Sequence, residues 1–371
     1  MSGVVAFNDF CAEPEALLQA ELAAAERVLR SGRFVLGAEV AAFEREWAER
    51  CGVRFCVGVG NGMDAIEIGL RALGIGPGDE VITTGMTAFA TVLAVLRAGA
   101  VPVLADVDAE TALLDAESVR RCITPRTRAV LPVHLYGRMC DVERIQHLCV
   151  EHSLQLIEDC AQSHDARVGG RSCGAFGTVG AFSFYPTKNL GAIGDAGALI
   201  TDDAAVAQRA VQLRNYGQSE RYVHVEHGSN SRLDELQAAL LRARLPWLAA
   251  FTEQRRRCAK RLREGIVNPA VRSLPAPAES DVEQHVWHLF VVRCERRDAL
   301  AQHLARCGVA ALAHYPIPVH RQAPCVDLPR DPHGLLHTEA HAAQCLSLPS
   351  HPQLSDADLQ RVIDAVNAFE K

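Results

Sequence analysis

The sequence predicts an α/β fold in which a mostly parallel seven-stranded sheet, covered by helices, is followed by a smaller α+β unit. Two observations carry this. Short apolar runs around Phe55, Val81, Val101, Ala129, Leu156, Phe182 and Leu199 alternate with amphipathic stretches near Asp64, Thr91, Glu117, Val142 and Ala205, the pattern of strand–helix crossovers with helices on both faces of a sheet. The alternation stops after Asn230, where a helical stretch over about 233–263, interrupted at Pro246, leads into a proline-rich link at 273–280.

In chain order, a helix over about 39–48 precedes the first strand. The large unit, with its N-terminal helical segment, is expected over 1–250 and the small one over 251–371. In the small unit we expect strands over 286–293 and 309–312 and helices over 298–307, 339–345 and 355–369. A chain of 371 residues, 49% hydrophobic, can bury a sizeable core. Its net charge of −7 argues against a nucleic-acid footprint, and the basic run 255–263 reads as the solvated face of a helix. The first residues lack a basic segment followed by an apolar one, and no uncharged apolar run approaches the roughly 18 residues of a membrane span. A cytoplasmic enzyme is the expectation. Thirteen cysteines without a C-x-x-C suggest reduced, buried thiols. His285 and His288 are three apart on an expected strand, hence on opposite faces, and no metal is expected.

Three segments carry chemistry. Past the apolar run 179–184, Pro186 delivers Lys188 into a loop with Gly191, Gly194 and Gly197. A lysine in a glycine-rich loop is commonly a solvated surface residue; held and desolvated, it is a nucleophile for Schiff-base chemistry. Upstream, the short strand 154–157 runs into Glu158-Asp159, at the carboxyl end where open sheets place ligand groups. Asp159 reads either as a helix N-cap or as the partner of a protonated pyridine nitrogen. Between Cys56 and Ile66 a strand passes through Gly58, Gly60 and Gly62 into a helix, a cradle for phosphate. A dinucleotide is the weaker reading, because the strand over 80–83 ends in Thr83-Thr84-Gly85 without an acidic residue for a ribose.

Cradle, strand-end aspartate and lysine follow in the order of fold-type I pyridoxal-phosphate enzymes. The wording is closer still: Gly74-Ile-Gly-Pro-Gly-Asp-Glu-Val-Ile82, Pro132-Val-His-Leu-Tyr-Gly137, Glu158-Asp-Cys-Ala-Gln162, Phe182-Ser-Phe-Tyr-Pro-Thr-Lys-Asn-Leu-Gly191, Leu213-Arg-Asn-Tyr-Gly217 and His314-Tyr-Pro-Ile-Pro-Val-His320. Over nearly its whole length the chain resembles the DegT/DnrJ/EryC1/StrS family of sugar aminotransferases. The resemblance implies pyridoxal 5'-phosphate as cofactor, with Lys188 as the catalytic, cofactor-bearing lysine, Asp159 on the pyridine nitrogen and Gln162 on the ring hydroxyl. It implies a phosphate grip by Gly62, Met63 and Ser183, with Asn230 reaching across a homodimer with shared sites; capping of a helix over 232–245 is the other reading of Asn230. Many relatives have an aromatic residue stacked on the ring where this chain has Ala88, and Phe89 beside it either replaces that contact or fills the core.

By the same resemblance glutamate and a nucleotide-linked keto-sugar are the substrates, with Tyr185, Arg221, His314, Tyr315 and His320 as candidates for the sugar side. A packed connection is the other reading of the His-Tyr-Pro turn. The combination of 58–62 with Asn8-Asp9-Phe10 and 286–290 is similar to the branch that aminates C-3 of dTDP-3-keto-6-deoxyhexoses. A C-4 aminotransferase is the nearest rival, an inosose aminotransferase a more distant one, and a sugar dehydratase of the family carries His where this chain has Lys188.

Overall fold

The computed structural model describes residues 3–370. Helices α1 (Glu15–Ser31) and α2 (Ala38–Cys51) come first. Helix α1 was not anticipated, although Leu17, Ala24 and Val28 fall at helical spacing and form its buried face. Ala24 and Val28 pack on Ala239 and Leu240 further along the chain.

The main sheet begins with β1 (Phe55–Val59), α3 (Gly62–Ala72), β2 (Glu80–Thr84), α4 (Phe89–Arg97) and β3 (Val101–Ala105). It continues through α5 (Ala116–Cys122), β4 (Thr127–Val130), α6 (Val142–Glu151) and β5 (Gln155–Asp159). A small ribbon of β6 (Arg167–Val168) and β7 (Arg171–Ser172) precedes β8 (Val179–Ser183) and β9 (Gly197–Thr201). The seven strands lie in the order β1-β9-β8-β5-β4-β2-β3. All neighbours are parallel except β9, which runs against both β1 and β8. Successive residues of one strand enter different cores: Leu156, Phe182 and Ile200 on one face, Ile157, Ala181 and Leu199 on the other. Both faces are therefore covered, which is why these strands read as continuous apolar runs.

After α7 (Ala204–Leu213) comes an exposed hairpin of β10 (Gln218–Glu220) and β11 (Val223–His224). Then α8 (Glu235–Arg244), a single turn at Leu245–Trp247 and α9 (Leu248–Gly265) bring the chain to β12 (Arg272–Ser273) and β13 (Phe290–Arg293). The chain ends with α10 (Arg297–Arg306), α11 (Leu336–Gln344), β14 (Cys345–Leu348) and α12 (Asp356–Asn367). Strands β12, β13 and β14 form an antiparallel sheet, and Leu262, Phe290, Val292, Leu304 and Val362 form its core. Val5, from the other end of the sequence, belongs to that same core.

Several expectations are corrected here. The strand over 286–293 is regular only from Phe290, because Trp287 has φ 50° and the preceding residues bond to the loop at Tyr136 and Gly137. His285 and His288 are therefore not strand residues; His285 stacks on Trp287 at 3.9 Å, whereas His288 Nδ1 lies 3.1 Å from Asn189 Oδ1. The segment 309–312 makes isolated pairings, Val309 with Val5 and Leu312 with Ser347, rather than a strand. Strand β14 was among those not anticipated, and only its first residue, Cys345, falls within the helix expected over 339–345. In the basic run Arg255 is buried and donates through Nη1 to the carbonyls of Trp287, His288 and Ser350. All thirteen cysteines are free thiols, buried except Cys11 and Cys307. Among the described residues no helix is long and apolar enough to cross a membrane.

Candidate active site

Strands β5 and β8 are parallel neighbours, and their carboxyl ends carry Asp159 and Ser183. The turn after Asp159 does not become a helix, so the N-cap reading falls away. Asp159 instead accepts from Ala161 N–H at 3.1 Å through Oδ1 and from the Thr91 hydroxyl at 2.8 Å through Oδ2. The residue is 5% exposed. Burial pushes its carboxyl pKa up, against those two donors and the charge of Lys188. No cation lies within ion-pair distance of it among the described residues.

Lys188 is pinned from both sides. Its own N–H donates to Tyr185 O at 2.8 Å, Asn189 Nδ2 donates to Val286 O at 3.2 Å, and Leu190 N–H donates to His164 Nδ1 at 3.0 Å. The side chain keeps part of its surface open, yet desolvation of the amine brings its pKa down to about 8, with Asp159 opposing the shift. That excludes the freely solvated surface lysine.

Helix α3 starts at Gly62, where Asn61 accepts from Asp64 N–H at 2.9 Å as the cap. The N–H groups of Gly62 and Met63 precede any carbonyl that could accept them in the helix, and they sit at its positive end. Gly62 has to be glycine: a Cβ there would stand 2.6 Å from Ser183 Cβ. The close approach sets Ser183 against the start of α3, and its hydroxyl accepts from Tyr185 N–H at 3.4 Å. A buried carboxylate without a counter-cation, a desolvated amine and an anion cradle together fit pyridoxal phosphate.

Gln162 is buried; its Oε1 accepts from Tyr136 N–H at 2.6 Å and its Nε2 donates to Tyr315 Oη at 3.3 Å, which leaves one amide hydrogen. Burial and the Asp159 charge push the Tyr315 hydroxyl up to about 12. His314 stacks on Phe7 at 5.7 Å, meets Ser347 Oγ at 2.9 Å through Nδ1, and is held down to about 4 by desolvation and Lys188. Ala88 stands at the N-cap of α4. Phe89, 37% exposed, belongs to none of the cores, which removes the core-filling reading.

The remaining predicted residues are Tyr185, whose carbonyl accepts from Lys188 N–H, and His320, Arg221 and Asn230. Tyr185 is 51% exposed. His320 is buried, with Nε2 on Glu339 at 2.9 Å. Arg221 stands exposed on the β10–β11 hairpin, its guanidinium 5.2 Å over the Tyr222 ring. Asn230 is exposed, four residues short of Asp234 at the N-cap position of α8, so it does not cap that helix. Among the described residues no hydrogen bond or ion pair ties Arg221, Asn230 or His320 to Lys188 or Asp159.

Sequence reading missed the hydroxyls of Thr87 and Thr91, whose i, i+4 spacing was the available signal. It also missed the side chains behind the site. Buried Glu158 accepts from His134 Nε2 at 2.9 Å and from the N–H groups of Gly174, Phe176 and Gly177. With Cys160 these two side chains have metal-ligand types and proximity, but the carboxylate is already saturated.

A model of the family described as "DegT/DnrJ/EryC1/StrS aminotransferase family" matches residues 16–367. A dTDP-3-amino-3,4,6-trideoxy-alpha-D-glucose transaminase of Streptomyces venezuelae is 47% identical over 98% of this chain and 96% of its own length. A dTDP-3-amino-3,6-dideoxy-alpha-D-galactopyranose transaminase of Aneurinibacillus thermoaerophilus is 43% identical over 93% of this chain and 94% of its own. The structure of S. venezuelae DesV in complex with a ketimine intermediate superposes with a TM-score of 0.94 at 45% identity, over 99% of this chain and 98% of that one.

Proposed function

This chain belongs to the DegT/DnrJ/EryC1/StrS aminotransferase family, and from that premise we propose that it transfers an amino group from glutamate to C-3 of a dTDP-linked 3-keto-6-deoxyhexose. The observation that carries the reading is the pairing of a desolvated Lys188 with a buried Asp159 that lacks a counter-cation. The C-3 position and the nucleotide rest on the two transaminases of dTDP-3-amino sugars.

In this reading Gly62, Met63 and Ser183 hold the phosphate of pyridoxal 5'-phosphate, with Asn230 of the partner subunit completing the grip in a homodimer. The exposure of Asn230, and of Tyr222 and Val225 at 80% and 58%, supports such an assembly. Asp159 faces the ring nitrogen and Gln162 the ring hydroxyl. Bound there, the cofactor supplies an electron sink that makes the carbon bearing the amine acidic.

The protein's own part is proton handling and orientation. With a pKa of about 8, Lys188 is neutral in a useful fraction of molecules near neutral pH. Its Nζ takes the proton from the donor α-carbon in the first half-reaction and returns one to C-3 of the sugar in the second. Asp159, as a carboxylate, holds positive charge at the ring nitrogen throughout. Tyr315 stays protonated and can donate to a sugar oxygen, while His314 stays neutral. Tyr185, Arg221 and His320 complete the sugar-side set, with Arg221 set towards the diphosphate.

An amination assay with glutamate against a panel of 3-keto and 4-keto nucleotide sugars tests the reading. A 3-amino product from a dTDP-3-keto-6-deoxyhexose is expected. Turnover confined to 4-keto sugars would move the assignment to C-4.

A further inference from the structure

We propose that Thr91, backed by Thr87, is the positioning residue that aims the Asp159 carboxylate and keeps it ionised. The hydroxyl proton of Thr91 goes to Asp159 Oδ2 at 2.8 Å. A hydroxyl has one proton to give, so Thr91 Oγ must accept from Thr87 Oγ, which lies 2.8 Å away. Both O–H dipoles therefore run towards the carboxylate. Thr87, Thr91 and Asp159 are 3%, 1% and 5% exposed, and dipoles that deeply buried act in a low dielectric.

Geometry adds direction. Thr91 occupies the first turn of α4, at the positive end of that helix. Ala161 N–H donates to the other oxygen, Oδ1, at 3.1 Å. With one donor on each oxygen the carboxylate plane is fixed, and lone pairs remain for a ligand. The titratable groups that act on Asp159 are Lys188 from the β8–β9 loop, His134 from the segment after β4, the adjacent Cys160 and Tyr315. None of them reaches ion-pair distance, so the direct support for the charge comes from Ala161 N–H and the hydroxyl chain, with Lys188 and His134 acting through space.

The competing role is a staple that merely fastens α4 to β5. Because the proposal rests on the cofactor reading above, its first test needs no cofactor. In the cofactor-free protein at pH 8, Thr91→Val should lower the urea midpoint of unfolding in the wild-type background and much less in an Asp159→Asn background, with Thr91→Ser restoring it. Equal shifts in both backgrounds would overturn the proposal and leave the staple. In the cofactor-loaded protein, Thr91→Val should weaken retention of pyridoxal phosphate by about tenfold and lower kcat, with KM for the sugar unchanged. If wild type retains no cofactor, the failure lies with the cofactor reading and the stability comparison still stands. If Thr91→Val does not fold, Thr87→Val should show the same background dependence at smaller size, and its absence there would equally overturn the proposal.

Discussion

At the strand ends, Asp159, Thr91, Gln162 and the first turn of α3 are held by hydrogen bonds within one chain and packed on the sheet, whereas on the β10–β11 hairpin Arg221 meets only Tyr222 among the described residues, through its ring and its hydroxyl. The first region is organised before any ligand arrives. In the second, charge and aromatic surface stand in solvent, and in the proposed dimer the ligand and the partner subunit are what would order them. The contrast separates what one chain can pre-organise from what assembly has to supply. It also ranks the substitutions, since losses should be largest where the groups are already fixed.

The largest loss belongs to Lys188→Ala. Wild type should be yellow, and borohydride should leave the reduced cofactor attached to Lys188; the variant should lose both the attachment and all measurable turnover. Peptide mapping that found the label on another lysine would break the assignment.

Asp159→Asn comes next, with a loss of about one to two decades in rate, the scale of a hydrogen bond to a charged group. A rate within twofold of wild type would remove Asp159 from its role. Stability should move the other way. The folded pKa of Asp159 is raised above its ordinary 3.8, so the stability associated with its protonated form is full below that value and lost as pH rises through the folded pKa. At neutral pH the cofactor-free wild type carries a buried charge that the Asn variant lacks. Cofactor-free Asp159→Asn should therefore melt higher at pH 7, and the difference should shrink in acid; a lower Tm at pH 7 would contradict the burial argument.

How much of this was legible follows the same division. Lys188, Asp159 and Gly62 stood out because one element delivers each of them: a loop after a strand, a strand end and a helix start, respectively. The seven strands read correctly because each is buried on both faces. What escaped depended on distant segments meeting. Thr91 matters only because α4 lies against the end of β5, and Arg255 left the solvated face only because carbonyls of Trp287, His288 and Ser350 converge on it. Trp287 broke its strand through a positive φ that a β-favouring sequence does not announce.

Mixing subunits tests the assembly half of the comparison. If Asn230 serves the neighbouring site, Lys188→Ala and Asn230→Ala chains, each impaired alone, should recover activity when co-expressed, because one site of the mixed dimer combines an intact lysine with an intact borrowed asparagine. About half the wild-type activity per mixed dimer is expected. No recovery in verified mixed dimers would place Asn230 in its own chain's site.

The smallest effect is expected at Arg221, on the region that is least organised. An exposed cation holding a diphosphate contributes weakly and is screened by salt, so Arg221→Ala should raise KM for the nucleotide sugar by roughly two- to fivefold, leave kcat unchanged and reduce the salt dependence of KM. Arg221→Lys keeps the charge but loses the planar fork, so it should restore the salt dependence while recovering KM only in part. The comparison would fail in the opposite sense if Arg221→Ala lowered kcat as far as Asp159→Asn does. That would mean that substrate binding draws the hairpin into a site as ordered as the strand ends.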